Sequence, residues 1–221
     1  MIRLLLAVAL GCAMIYPGDA RAAPRDDQAL IALAAKGDLP GVERLIGEGA
    51  SLKARDNRGR TALLAATQGN HVAVARALIA AGADVNAKDD IQDSPYLYAG
   101  AEGRIEILMM TLAAGADPKS TNRYGGTALI PAAHHGHPEA VRILLGTAID
   151  KDHVNKLGWT ALLEAVILGD GGPVHTEIVR LLVEAGANVN LADREGVTPL
   201  RHARQRGFAE MMRILESRGA R

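Results

Sequence analysis

Apolar and polar positions fall into short blocks along this chain, and the clearest is residues 61–86, TALLAATQGNHVAVARALIAAGADVN. Leu63, Ala66 and the small residues between them predict a short helix with an apolar, closely packable face. The Thr61 hydroxyl can cap its N-terminus. Gln68-Gly69-Asn70 interrupts the pattern. A second helix follows, with Val74/Leu78 and Ala75/Ile79 at i,i+4 spacing on one side. Gly82 supplies the left-handed residue that ends a helix at low steric cost, and Ala83 onward leads into a turn. Two helices this short cannot bury a core alone, so the pattern predicts stacked neighbours.

The neighbours are present. The Thr slot recurs as Thr61, Ser94, Thr127, Thr160 and Thr198. The helix-ending pair recurs as Gly49-Ala50, Gly82-Ala83, Gly115-Ala116, Gly186-Ala187 and Gly219-Ala220. Three of the four Thr-slot intervals are 33 residues, and the last is 38 because the fifth unit carries five extra residues. Two independent landmarks sharing one period establish an internal repeat.

On these residues the chain resembles the ankyrin repeat. TALL, SPYL, TALI, TALL and TPLR are similar to the family's TPLH motif, and GADVNAKD and GANVNLAD to its exit from helix to hairpin. The resemblance covers residues 27–221 and implies an all-α repeat, an ankyrin solenoid of six helix-turn-helix units joined by hairpin-like loops. The units run over about 27–57, 58–90, 91–122, 123–155, 156–193 and 194–221. There are departures. Leu64, Leu97, Ile130, Leu163 and Arg201 stand where the family motif has histidine, and unit four has Ala148-Ile149 where Gly-Ala belongs, which predicts a different helix ending.

Outside the repeats, residues 1–22 read as a secretory signal: Arg3, an apolar run from Leu4 to Tyr16, a Pro17-Gly18 break and an Ala20-Arg21-Ala22 cleavage site. Cleavage between Ala22 and Ala23 would leave 23–221 as the mature chain. The apolar run is short for a bilayer span, so no membrane insertion is expected after cleavage. Cys12, the only cysteine, follows Leu10-Gly11 and raises a lipoprotein anchor as the alternative, although the residues after it stay apolar. The signal and the Ala/Gly-rich repeats look bacterial, which makes the periplasm the expected compartment. A formal net charge of zero argues against a nucleic-acid footprint.

Unit three is the least regular. Gln92 replaces the turn glycine, Tyr96 and Tyr98 occupy core-type slots, and Thr111 stands where other units have Leu78, Leu144, Leu182 and Leu215. It is either a tolerated irregular repeat or a place where the stack opens for a ligand. Unit four contains His134, His135 and His137, which invite a metal reading; the one carboxylate at ligand spacing in the sequence is Glu139, and His137 falls, like His71, at the start of a second helix. In unit five a glycine- and proline-containing loop at residues 169–175 is expected before Thr176 restarts the helix. It is an ornament or a partner contact. The charges of unit six suit a solvated C-terminal cap.

Catalytic signatures are missing: no G-x-S-x-G, no phosphate loop, no H-E-x-x-H and no dinucleotide glycine fingerprint. The expected role is therefore a monomeric protein-interaction module with no cofactor and no metal: an adaptor, chaperone-like or inhibitory (immunity) protein. The family resemblance implies binding on a concave surface lined by hairpin tips and first helices. Carried over by position, the candidates are Trp159, Tyr124 and Leu157, with Arg58, Arg60, Arg123 and Lys156 as a charged rim. Trp159 could instead merely pack on the next hairpin. The rival reading is a metal- or small-ligand-binding protein that uses His134, His135 and His137.

Overall fold

The structure, a computed structural model, describes residues 24–221. The signal segment, its Ala22/Ala23 cleavage point and Cys12 lie outside the described residues. Among those residues, twelve helices follow one another in pairs and no strand occurs. They are α1 (Pro24–Lys36), α2 (Leu39–Gly47), α3 (Ala62–Gln68), α4 (Val72–Ala80), α5 (Pro95–Ala101), α6 (Ile105–Ala113), α7 (Leu129–His134), α8 (Pro138–Leu145), α9 (Ala161–Ile167), α10 (Pro173–Glu184), α11 (Pro199–Gln205) and α12 (Ala209–Glu216). None is long and apolar enough to cross a membrane. α1 begins at Pro24, ahead of the start at about residue 27 expected for the first unit.

The odd-numbered helices pack on one another in one row and the even-numbered helices in a second, with each pair bridging the rows. This explains the two sequence patterns. α3 is held between α1, α5 and α4, so Ala62, Leu63, Leu64, Ala65, Ala66 and Thr67 are all buried; a helix enclosed all round has to be apolar or small all round. α4 is enclosed on one side only. It buries Val74, Ala75 and Leu78 and leaves Arg76 exposed.

Thr61, Ser94, Thr160 and Thr198 cap their helices as the sequence predicts, each side chain accepting from the backbone N–H three residues on. Thr127 does not. In the four regular units the slot's carbonyl accepts from the N–H four residues later, on Ala65, Tyr98, Glu164 and His202. The equivalent in unit four is Pro131, which has no N–H. Ile130 N–H therefore turns to the Thr127 carbonyl at 3.2 Å. Among the described residues the buried Thr127 hydroxyl has no partner, and α7 starts a residue late with Ala128 at its cap.

The end of unit four is also rebuilt. Gly49, Gly82, Gly115, Gly186 and Gly219 all take the left-handed conformation, which lets Ala83 N–H reach the Leu78 carbonyl and its counterparts do likewise. With Ala148 in the glycine position, the Thr147 hydroxyl relays the bond. It accepts from Ile149 N–H at 3.2 Å and donates to the Leu144 carbonyl at 2.6 Å.

Unit five departs from expectation. The helix resumes at Pro173, not Thr176, because a first-turn proline gives up only an N–H that has no partner there anyway. α10 is 12 residues long against 9 in α4, so part of the insertion is an added helical turn. His175 thus sits on a helix, with Nε2 3.0 Å from the His134 carbonyl, and ties unit five to unit four. What remains of the loop is held from unit six, where Arg206 donates to the Ile167 and Gly169 carbonyls.

In unit three, Gln92 holds φ at 66° in the glycine position. Tyr96 is fully buried and its hydroxyl has no partner. Thr111 is also buried, with its hydroxyl donating to the Leu108 carbonyl at 2.8 Å. Tyr98 is no core residue; it forms part of a pocket wall.

Candidate functional site

Each hairpin is organised by one Asp or Asn. Asp56, Asp89, Asn122, Asn155 and Asp193 each accept, through one side-chain oxygen, from the N–H groups two and four residues on. The two-residue bond fixes an equivalent tip position in every hairpin, occupied by Arg58, Ile91, Tyr124, Leu157 and Glu195. Three consecutive tips are apolar. Ile91, Tyr124 and Leu157 are each about half exposed, at 50%, 50% and 47%, between charged tips at either end.

Next to this ridge lies a pocket of ≈ 500 Å³ built from three successive units. Hairpin residues such as Asp93, Tyr124 and Leu157 meet first-helix residues such as Tyr98, Pro131, His134 and Glu164 there. Gly126 lines this space without a side chain. Arg60, Asp93, Trp159 and Val197 fill the equivalent slot elsewhere, whereas a Cβ at Gly126 would meet nothing nearer than 3.5 Å.

Glu164 comes from the middle of α9, is 5% exposed and lines the pocket. Its Oε1 accepts from Asn155 Nδ2 at 2.8 Å, while Oε2 is 3.7 Å from His134 Nδ1, too far for a hydrogen bond. Burial, only partly offset by the Asn155 bond, pushes the carboxyl up to about 7. Burial also holds the His134 imidazole below its ordinary value, helped by His135 and His175, so this ring is neutral at neutral pH. Burial, followed by the Asp89 charge, raises Asp93. Among the described residues no serine, threonine or cysteine lines the pocket beside the carboxyl–imidazole pair.

The histidine cluster divides. Glu102, from unit three, joins His135 and His137 with donor atoms within 4.8 Å of one another, whereas His134 faces Glu164. Glu139, the carboxylate that the sequence offered, pairs with Arg142 at 3.5 Å instead. A tetrahedral zinc with bonds of about 2.1 Å holds its donors about 3.4 Å apart, so these three side chains would have to close on an ion.

A model of the family described as ankyrin repeats (3 copies) matches residues 3–89, 95–193 and 149–221. The chain belongs to the ankyrin repeat family. Its structure is similar to that of an ankyrin repeat domain (ABAYE2397) from Acinetobacter baumannii AYE, with a TM-score of 0.85 and 55% identity over 88% of this chain and 100% of that one. It is also similar to EF0377, an ankyrin repeat protein, with a TM-score of 0.82 and 42% identity over 85% and 96% of the two chains. A curated relative, the putative ankyrin repeat protein YahD of Escherichia coli (strain K12), is 49% identical over 57 residues. That match covers 26% of this chain and 28% of the relative's length.

The residues singled out in the ankyrin sequence fall in different places. Tyr124, Leu157 and Arg123 come together at the pocket. Arg123 lies over the Tyr124 ring at 4.8 Å and 3.9 Å from Asp93. Lys156 donates to the Arg123 carbonyl at 3.1 Å. Arg60 is partly buried and engaged by Asp56 and Gln68, at 2.8 and 2.7 Å, and Arg58 is exposed one tip beyond Ile91. Trp159 is partly buried and does not line the pocket. Sequence reasoning missed Glu164, and it missed Glu102 as a neighbour of His135 and His137. The signal for Glu164 was a lone acid in the otherwise apolar helix ALLEAVI; Glu102 has no such signal, since it meets His135 and His137 only when the repeats stack.

Proposed function

We propose that this chain is a periplasmic protein-binding module, exported by the 1–22 signal and working as a monomer. It would hold, protect or inhibit one partner protein on the face formed by its hairpin tips and first helices. Ankyrin repeats are protein–protein interaction modules and typically non-enzymatic scaffolds, and no reaction is assigned here. The observation that carries the reading is the run of three half-exposed apolar tips, Ile91, Tyr124 and Leu157. Apolar anchors ringed by polar groups dominate interface energetics. Arg123, Lys156 and Arg58 supply that rim, and Trp159, two residues on in Leu157's own hairpin, is a further anchor.

The test is crosslinking capture from the native envelope fraction, comparing wild type with Tyr124→Ala/Leu157→Ala and with Trp159→Ala. Loss of one specific partner in the first variant is the expected result, with an affinity drop of about 30-fold or more for a hot-spot pair. Undiminished capture by a folded double variant would remove the reading. The meeting of Glu102 with His135 and His137 favours metal binding as the second reading. Stabilisation by zinc or copper that disappears in His135→Ala/His137→Ala would support it.

A further inference from the structure

We propose that the pocket shared by units three, four and five receives a guanidinium group, an arginine side chain of the bound protein, with Glu164 as its buried acceptor. This rests on the protein-binding reading above.

The charge balance is the first argument. Asp93, Glu102 and Glu164 line the pocket against the single guanidinium of Arg123, and Arg123 is already committed to Asp93 and the Tyr124 ring. The second argument is an acceptor without a donor. Glu164 is more than nine-tenths buried, yet among the described residues only Oε1 has a hydrogen bond. Oε2 keeps access to the pocket, so an entering cation would meet an open carboxylate oxygen there. Shape is the third. Tyr98, Pro131, Leu157 and Leu168 give walls for a methylene stem. A guanidinium is more weakly hydrated than an ammonium and stacks on aromatic faces, so it enters a half-enclosed aromatic site at lower cost.

The pocket's ionisable groups set the pH response. Glu164 is half protonated near neutrality, so an arriving cation displaces its proton. Affinity then rises with pH through about 7. His134, facing Glu164 from α7, loses its own charge below its ordinary value and acts in the same direction. The other ionisable groups on the lining are Asp93, Tyr98, Glu102, Arg123, Tyr124 and His135.

The test is an NMR titration of the purified full chain with N-acetyl-arginine amide, using the uncharged N-acetyl-citrulline amide, N-acetyl-lysine amide and free arginine as comparisons. Saturable shifts at Glu164, His134 and Tyr98 are expected with the arginine amide. Binding should be at least about tenfold weaker for citrulline amide and for Glu164→Gln, and abolished by Gly126→Leu, which fills the space. No saturation in wild type, or equal binding by citrulline amide or by Glu164→Gln, overturns the proposal. Equal binding of lysine amide overturns the guanidinium preference, and tighter binding of free arginine assigns the pocket to an amino acid instead of a protein side chain. If the titration fails while Tyr124→Ala/Leu157→Ala still loses the partner, the pocket proposal falls and the docking face stands.

Discussion

Glu164→Gln gives a direct reading of what the buried carboxyl costs the fold. In the unfolded chain this group has the ordinary value of 4.5, and in the folded chain it is pushed up to about 7. Between those values the folded protein keeps a proton that the unfolded chain has released. Stability therefore falls as pH rises through the window; the full contribution is present below 4.5 and gone above 7. A difference of roughly 2.5 units at about 1.4 kcal/mol each sets a ceiling of about 3.5 kcal/mol. Glutamine cannot ionise, keeps the volume and can still accept from Asn155 Nδ2. Glu164→Gln should thus match wild type at about pH 4.5 and exceed it by about 2–3 kcal/mol at about pH 8.5, moving the urea midpoint by roughly 1 M. Because a repeat stack can open in parts, unfolding is followed both by far-UV circular dichroism and by fluorescence of Trp159, the one tryptophan, which sits in the same unit. A difference between variant and wild type that does not change with pH, or a variant less stable at alkaline pH, would refute the reasoning.

Gln92→Gly relieves a side chain held at a φ of 66° and should raise stability by about 1 kcal/mol; a lower urea midpoint would mean that the Gln92 side chain contributes more than its backbone strain removes. Thr61→Val should lose about 1 kcal/mol with its cap. Thr127→Val, at the equivalent slot, should be neutral or gain up to about 1 kcal/mol because its hydroxyl is buried without a partner. Thermal unfolding of the two variants side by side checks this, and equal losses would contradict the account of Pro131.

What was legible in the sequence was what each unit decides locally. The caps at Thr61, Ser94, Thr160 and Thr198 and the left-handed Gly-Ala endings need only their own few residues. The cap at Thr127 failed through a residue four positions away, since Pro131 removes the N–H that sorts the hydroxyl's bond from the carbonyl's. Gly171-Gly172-Pro173 looked like a loop because glycine and proline both break helices, yet proline at a first turn starts one. The exposed hairpin-tip positions of Tyr124 and Leu157 were legible, because the ankyrin pattern makes those positions prominent. The Glu102–His135–His137 group was not, because a 33-residue period conceals which side chains meet across the stack.

Several departures from the repeat pattern converge on the pocket. Tyr98, Pro131 and Glu164 stand at one first-helix slot in units three, four and five, and all three line the same cavity. The slot opposite, on the hairpin, shows what each unit does with it. Unit six has His202 there and closes it with Asp193 at 2.6 Å, an acid against an imidazole. Unit five has an acid, Glu164, and opposes it with Asn155, a neutral amide that satisfies one oxygen only. Either an alanine at 164 or a cation at 155 would remove the buried charge. Instead unit five keeps the acid, and unit four, with Gly126, keeps the space before it open. Locally disfavoured choices that agree with one another across separate units are the mark of a site rather than of drift. In a stack where each unit leans only on its neighbours, three adjacent middle units can carry that cost, and among them only unit four gives up its Thr-slot cap.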